Sequence, residues 1–124
     1  MASSKKYEFT GEAKQHEGID LHRIRAVKDI PEKGVKAGDL GGWIQSEKNL
    51  SHKGSCWVSD EAWVFGEARI IGNALISGNA WVFGYAEISD YAQVSGDAWA
   101  AGYVHISGHA NVTGGSFTSG SINR

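Results

Sequence analysis

The chain has 124 residues, 41% of them hydrophobic, with 17 glycines, one proline and one cysteine. That length suits one domain, and a single cysteine excludes an internal disulfide framework. With a net charge of −2, no apolar run approaching about 18 residues and no hydrophobic N-terminal segment, the expectation is a cytoplasmic chain without a membrane span.

Met1 to Ser4 carry no pattern and are expected to be disordered. Tyr7 to Thr10 alternate apolar and polar residues, and so does Ile19 to Val27, with Ile19, Leu21, Ile24 and Ala26 as the apolar set. The stretch AKQHEG between them reads as a turn, which predicts a β-hairpin. Asp29 to Gly42 is a loop that holds Pro31 and ends in Gly41-Gly42, read as a tight bend where a first coil begins. Leu40 lies 18 residues before Val58, and the same interval leads on to Ile76, Val94 and Val112. Leu40 to Ser55 is therefore read as an irregular first coil. Residues 1–39 are expected to form a hairpin-and-loop cap on one unit spanning 40–124, covering strand edges that would otherwise invite association.

From Cys56 onward the sequence repeats every six residues: CWVSDE, AWVFGE, ARIIGN, ALISGN, AWVFGY, AEISDY, AQVSGD, AWAAGY, VHISGH, ANVTGG, SFTSGS, with Ile122 opening a twelfth unit. The fifth place is Gly or Asp in all eleven full units, and the third is Val or Ile in nine, failing at Ala100 and Thr118. Apolar residues two and then four apart, with a left-handed-tolerant residue between, fit neither a helix nor a plain strand. They fit a short extended side followed by a corner. Three sides make a triangular coil of 18 residues whose strands pair with those of the next coil. The fold class is all-β: a parallel β-helix with an N-terminal hairpin cap. Toward the C-terminus the pattern decays, and the last coil is expected either to fray or to be covered by another chain.

The Ala-x-Val/Ile-x-Gly-x units resemble the hexapeptide-repeat family, which implies a left-handed β-helix; periodicity alone leaves the hand open. Many members of that family are acyltransferases, and a smaller branch contains carbonic anhydrases. The leader segments KYEFTGEA, LHRIRAVKD and KAGDLGGWIQSEKNLS are also similar to small uncharacterised hexapeptide-repeat proteins of phages and prophages. Such proteins are often grouped with the bactofilins, whose β-helix is right-handed and forms filaments.

Charge and chemistry narrow the function. Residues 1–55 carry ten Lys/Arg against eight Asp/Glu, and residues 56–124 carry two against six. The repeat offers no basic face, so no nucleic-acid partner is expected. Arg23, Arg25, Lys28, Lys33 and Lys36 are the candidate contacts to a protein partner. His105 and His109 invite a metal reading, but a strand plus a bend separates them by roughly 10 Å and no third histidine joins them. No metal and no cofactor are expected. An acyltransferase would need a catalytic histidine, for which His105 and His109 are the repeat's only candidates, together with a cleft that eleven uninterrupted units do not supply. Cys56 takes a slot that alanine holds in most other units and reads as a buried small residue. No catalytic residue is assigned.

The outer faces carry more information. Trp57, Leu75, Gln93 and Asn111 line one side, and Arg69, Glu87 and His105 a second. The third carries Trp63, Trp81, Trp99 and Phe117 beside Phe65 and Phe83, a wall of aromatic rings. Rings stacked at the strand spacing of about 4.8 Å present edges outward, which suits a dry protein interface. The sequence thus predicts a non-enzymatic accessory protein that forms a dimer or trimer through this wall. The phage resemblance implies a host protein, such as one of a defence system, as the further partner. A bactofilin-like filament is the first alternative and an acyltransferase-like enzyme the second.

Overall fold

The computed structural model describes residues 5–123. Met1–Ser4, read above as a disordered tail, lie outside the described residues, as does Arg124. Two long strands come first, β1 (Tyr7–His16) and β2 (Ile19–Ala26), joined antiparallel. Their turn is shorter than the six residues expected. Only Glu17 and Gly18 form it, both with positive φ (49° and 83°), the geometry of a two-residue hairpin turn. β1 carries a bulge between Phe9 and Ala13, which bends the strand. A third strand, β3 (Leu40–Ile44), pairs antiparallel with β2 and parallel with Trp63–Val64.

From there the chain is a parallel β-solenoid of stacked triangular coils. One sheet runs β1-β2-β3 and continues through the strands at Trp63, Trp81, Trp99 and Ser116; two four-stranded sheets form the other sides. The regular sides are strands of only two or three residues, because each must end at a corner. Inward positions fill the prism. Val58, Val64, Ile70, Ile76, Val82, Ile88, Val94 and Ile106 are fully buried, and Cys56 and the first-place alanines stand beside them. Corners need a left-handed backbone. At Gly84 (φ 68°) a Cβ would meet the Gly102 amide nitrogen at 2.7 Å. Asp60 and Asp90 accept the same conformation at φ 58° and 56°, and each carboxylate accepts an N–H of the next coil, from Gly78 and Gly108, at 3.0 Å.

Both ends depart from the 18-residue interval, and for one reason. In the first coil Ile44 pairs with Val64 and Leu50 bridges Ile70, an interval of 20. An interval of 18 would put Ser46 and His52 inside. Leu40 is consequently no rung of the core; it pairs with Arg25 and is 53% exposed. In the last coil Ala100 pairs with Phe117 and Ile106 with Ile122, where the regular interval would turn Thr118 and Arg124 inward. One residue is dropped before Phe117, which exchanges the faces of that strand, and a second before Ile122, so that Phe117 and Ile122 pack half-buried against the core. The aromatic wall therefore does not include Phe117. Gly41 and Gly42 lie within β3 rather than at a bend. Their need is space: a Cβ at Gly41 would meet the Val58 carbonyl at 2.6 Å, and one at Gly42 the Ala62 carbonyl at 2.7 Å.

The leader closes the first coil. In the regular coils an N–H donates upward to the following coil, as Ser51 does to the Ile70 carbonyl at 3.0 Å and Trp57 to the Ala74 carbonyl at 3.0 Å. The equivalent carbonyls of the first coil, Leu50 and Cys56, have no coil beneath them. Tyr7 Oη donates to the Leu50 carbonyl at 2.5 Å, and Lys6 Nζ donates to the Cys56 carbonyl at 2.6 Å. Lys6 is fully buried, which draws its ammonium below the usual lysine pKa, while Cys56 beside it acts in the opposite sense. Buried backbone acceptors demand such partners, and here two side chains of the leader supply them.

Candidate functional site

The aromatic wall is built by register. Trp43, Trp63, Trp81 and Trp99 occupy paired positions on successive parallel strands. Trp63 and Trp81 stack with centroids 4.4 Å apart and planes at 10°, Trp81 and Trp99 at 5.1 Å and 4°, and Phe65 and Phe83 at 4.9 Å and 3°. Between the two rows the contacts are edge-to-face, as between Phe65 and Trp81 at 6.2 Å and 73°. Both geometries satisfy the ring quadrupole.

The hairpin folds over the lower part of this wall. Past the His22–Ile44 pair, β2 has no strand beside it on the β3 side, and the hairpin tip turns onto the rings. Leu21 forms a buried cluster with Trp43 and Phe65, against which Ile19, Trp63, Trp81 and Phe83 pack. His16 sets its ring edge-to-face against Trp63 at 4.8 Å and Trp81 at 4.9 Å. Lys14 places its ammonium 4.1 Å from the centre of a Trp43 ring, a cation–π contact. Above the tip the wall is open. The phenylalanine row ends at Ala101, Trp99 is 44% exposed, and a notch of about 310 Å³ lies between His16, Glu17 and Ile19 on one side and Trp81, Phe83 and Trp99 on the other. At the adjoining corner Tyr85 and Tyr103 stack at 5.0 Å and are 56% and 71% exposed.

Of the wall residues singled out in the sequence, the structure brings together Trp63, Phe65, Trp81, Phe83 and Trp99, and removes Phe117. The basic residues do not form one free face. Arg25 binds Glu8 through two nitrogens at 2.6 and 3.0 Å. Arg23 donates to the Gly41 carbonyl at 2.9 Å and lies 3.5 Å from Glu61. Lys33 reaches Ser55 Oγ at 3.2 Å, and only Lys28 and Lys36 of that set stand exposed without such a contact among the described residues. His105 and His109 lie on different features: His105 Nδ1 is 3.6 Å from Glu87 Oε1, and His109 stacks on Tyr91 at 5.2 Å. Among the described residues, no three His, Cys, Asp or Glu side chains gather as metal ligands would. Cys56 is fully buried. Among the described residues, no helix is long and apolar enough to cross a membrane.

Sequence reasoning missed the leader's own contacts. Lys6, Lys14 and His16 follow no periodic pattern, and the alternation that marks Tyr7 as a strand residue does not say what its hydroxyl bonds. The Tyr85–Tyr103 pair did carry a signal, an 18-residue interval at the sixth place. Beside the leader's lower edge, His52 bonds Glu47 at 2.7 Å; that bond, with Lys5 nearby, holds the Glu47 carboxyl below its ordinary pKa.

The six-residue repeat, the corner geometry and the stacked coils make the chain a hexapeptide-repeat β-solenoid. This hexapeptide protein is similar to a protein of Escherichia coli strain K12 described as an uncharacterised acetyltransferase, YdcK, with 43% identity over 61 residues. The match covers 48% of this chain and 18% of YdcK, so the hexapeptide protein corresponds to a minor part of that relative. No family model matches it.

Proposed function

We propose that this hexapeptide protein is a binding scaffold without catalytic activity, and that a second copy docks on the open upper part of its aromatic face. The observation that carries the reading is the pair of exposed ladders, Trp99 at 44% beside Tyr85 and Tyr103 at 56% and 71%. The hairpin tip stops short of all three. Large contiguous apolar patches on a single protein mark contact sites, and closed symmetric pairs are the common way to cover them. The family resemblance adds a trimer as the other closed form. By its likeness to phage proteins, the further partner of the assembly is a host protein, met through the leader with Lys28 and Lys36.

Light scattering over a concentration range tests this. A closed dimer or trimer reaches a plateau mass, and Trp99→Ser with Tyr103→Ser yields monomers that keep their β signal. A wild-type protein that stays monomeric at high concentration refutes the reading; mass that grows without a plateau supports the filament alternative.

A second reading, acyl transfer, is favoured by the match to YdcK and by the His105–Glu87 pair, since a carboxylate beside an imidazole orients it as a base. Turnover of acetyl-coenzyme A with simple amine and hydroxyl acceptors, lost in His105→Ala, would replace the scaffold by an enzyme.

A further inference from the structure

The side that begins at Trp57 changes character as it rises. Trp57 is buried under the leader, Leu75 is half-buried, and Gln93 and Asn111 are exposed. The loop turn Pro31–Lys33 stands along one edge, and the corner residues Asn73, Tyr91 and His109 stand along the other, enclosing a groove of about 490 Å³. Tyr91 is 51% exposed, and its ring lies parallel to that of His109, with planes at 8° and centroids 5.2 Å apart. Gln93 and Asn111 sit in register on adjacent strands, and neither amide bonds to another group among the described residues.

From these features we infer that the groove binds a neutral oligosaccharide. Each primary amide both donates and accepts, as each sugar hydroxyl does, and the two amides repeat at the strand spacing of about 4.8 Å. The ring pair offers a flat apolar wall to the C–H face of a sugar, and Leu75 offers an apolar floor. Charge is spare: the Lys33 ammonium already meets Ser55 Oγ at 3.2 Å, and Glu32 stands at the rim. An anionic ligand would meet too little positive charge here. An extended peptide would want an open strand edge to pair with, and the strand carrying Gln93 is paired on both sides.

The test is an NMR titration of the full chain with maltotetraose, cellotetraose and chitotetraose, with the neutral peptide Gly-Ser-Gly-Ser as the control. At least one sugar should shift the side-chain amide signals of Gln93 and Asn111 with a dissociation constant of about 1 mM. Tyr91→Ala, and separately Gln93→Ala with Asn111→Ala, should weaken that binding by about tenfold or more while leaving the melting temperature nearly unchanged, because all three side chains are exposed. Three outcomes overturn the inference: no shift with any of the three sugars, binding that Tyr91→Ala leaves intact, or equal binding of the peptide. None of them bears on self-association, because Trp99 lies on a different face of the prism.

Discussion

Replacing Trp63 and Trp99 one at a time should separate two roles that the aromatic wall combines. Trp63 is half-buried, stacked on Trp81, met edge-on by His16 and approached to 5.2 Å by the Lys14 ammonium. Truncating a buried tryptophan to alanine costs about 3–5 kcal/mol, and each aromatic pair adds roughly 0.5–1.5 kcal/mol. For the half-buried Trp63, with His16, Phe65 and Trp81 as ring partners, a loss of about 3 kcal/mol is expected. Trp99 is 44% exposed and has Trp81 and Phe83 as ring partners above the hairpin tip. Its truncation should cost about 1–1.5 kcal/mol. Urea unfolding followed by circular dichroism on dilute protein measures both, and light scattering on concentrated protein measures association. Trp63→Ala should be the less stable variant and still associate. Trp99→Ala should lose no more than about half as much stability and should not associate. Equal stability losses would show that the hairpin does not clamp the lower wall, and association that survives in Trp99→Ala would remove the docking face from where we place it.

Three further outcomes follow from the packing. Ile88 is fully buried between Ile70 and Ile106, so Ile88→Asp should abolish the cooperative unfolding transition by burying an unpaired charge, whereas Glu87→Ala should shift stability by less than about 1 kcal/mol. Asp90→Ala should lose about 1–2 kcal/mol, because alanine is strained at φ 56° and cannot accept the Gly108 N–H; Asp90→Gly, which loses the same bond but adopts that φ freely, should lose less in the same unfolding assay. The buried Lys6 holds fewer protons in the folded chain than in the unfolded one at pH values between its lowered pKa and the ordinary 10.5, so through that window its contribution to stability rises with pH. Thermal melts of wild type and Lys6→Met across that window should show the wild type gaining relative to the variant as pH increases; no relative change would mean that the ammonium is solvated, and a relative loss would mean that its partners outweigh burial and raise its pKa.

The middle of the chain was legible because its sequence obeys a single rule. From Cys56 to Val112 the six-residue phase places Ala, Val and Ile inside and the tryptophans outside, and side chains on a strand alternate without exception. The ends were not legible by that rule alone, since the interval gave way where keeping it would have buried Ser46 and His52 or Thr118 and Arg124. Weighing Phe117 against Thr118 and Ile122 against Arg124 by apolar burial would have recovered the slip in the last coil. The hairpin was legible as an element, but its destination was not: His16 meets Trp63 and Trp81 through a bend and a turn, and no local pattern encodes that distance. Trp57 shows the same limit, since its outward phase was right and the leader buries it all the same.

The plug that Lys6 and Tyr7 form beneath the first coil gives the prism a direction. Open-ended growth by stacking needs two complementary ends, one offering amide hydrogens and the other receiving them. Here the receiving carbonyls of Leu50 and Cys56 are occupied by the molecule's own side chains, and the third side is capped by β2 running antiparallel to β3. A neighbouring prism arriving from below would have to evict a buried ammonium before it could pair. With that plug in place the two ends of the rod are chemically unlike, and a prism stacking on this end would have to displace the contacts that Tyr7 and Lys6 already make.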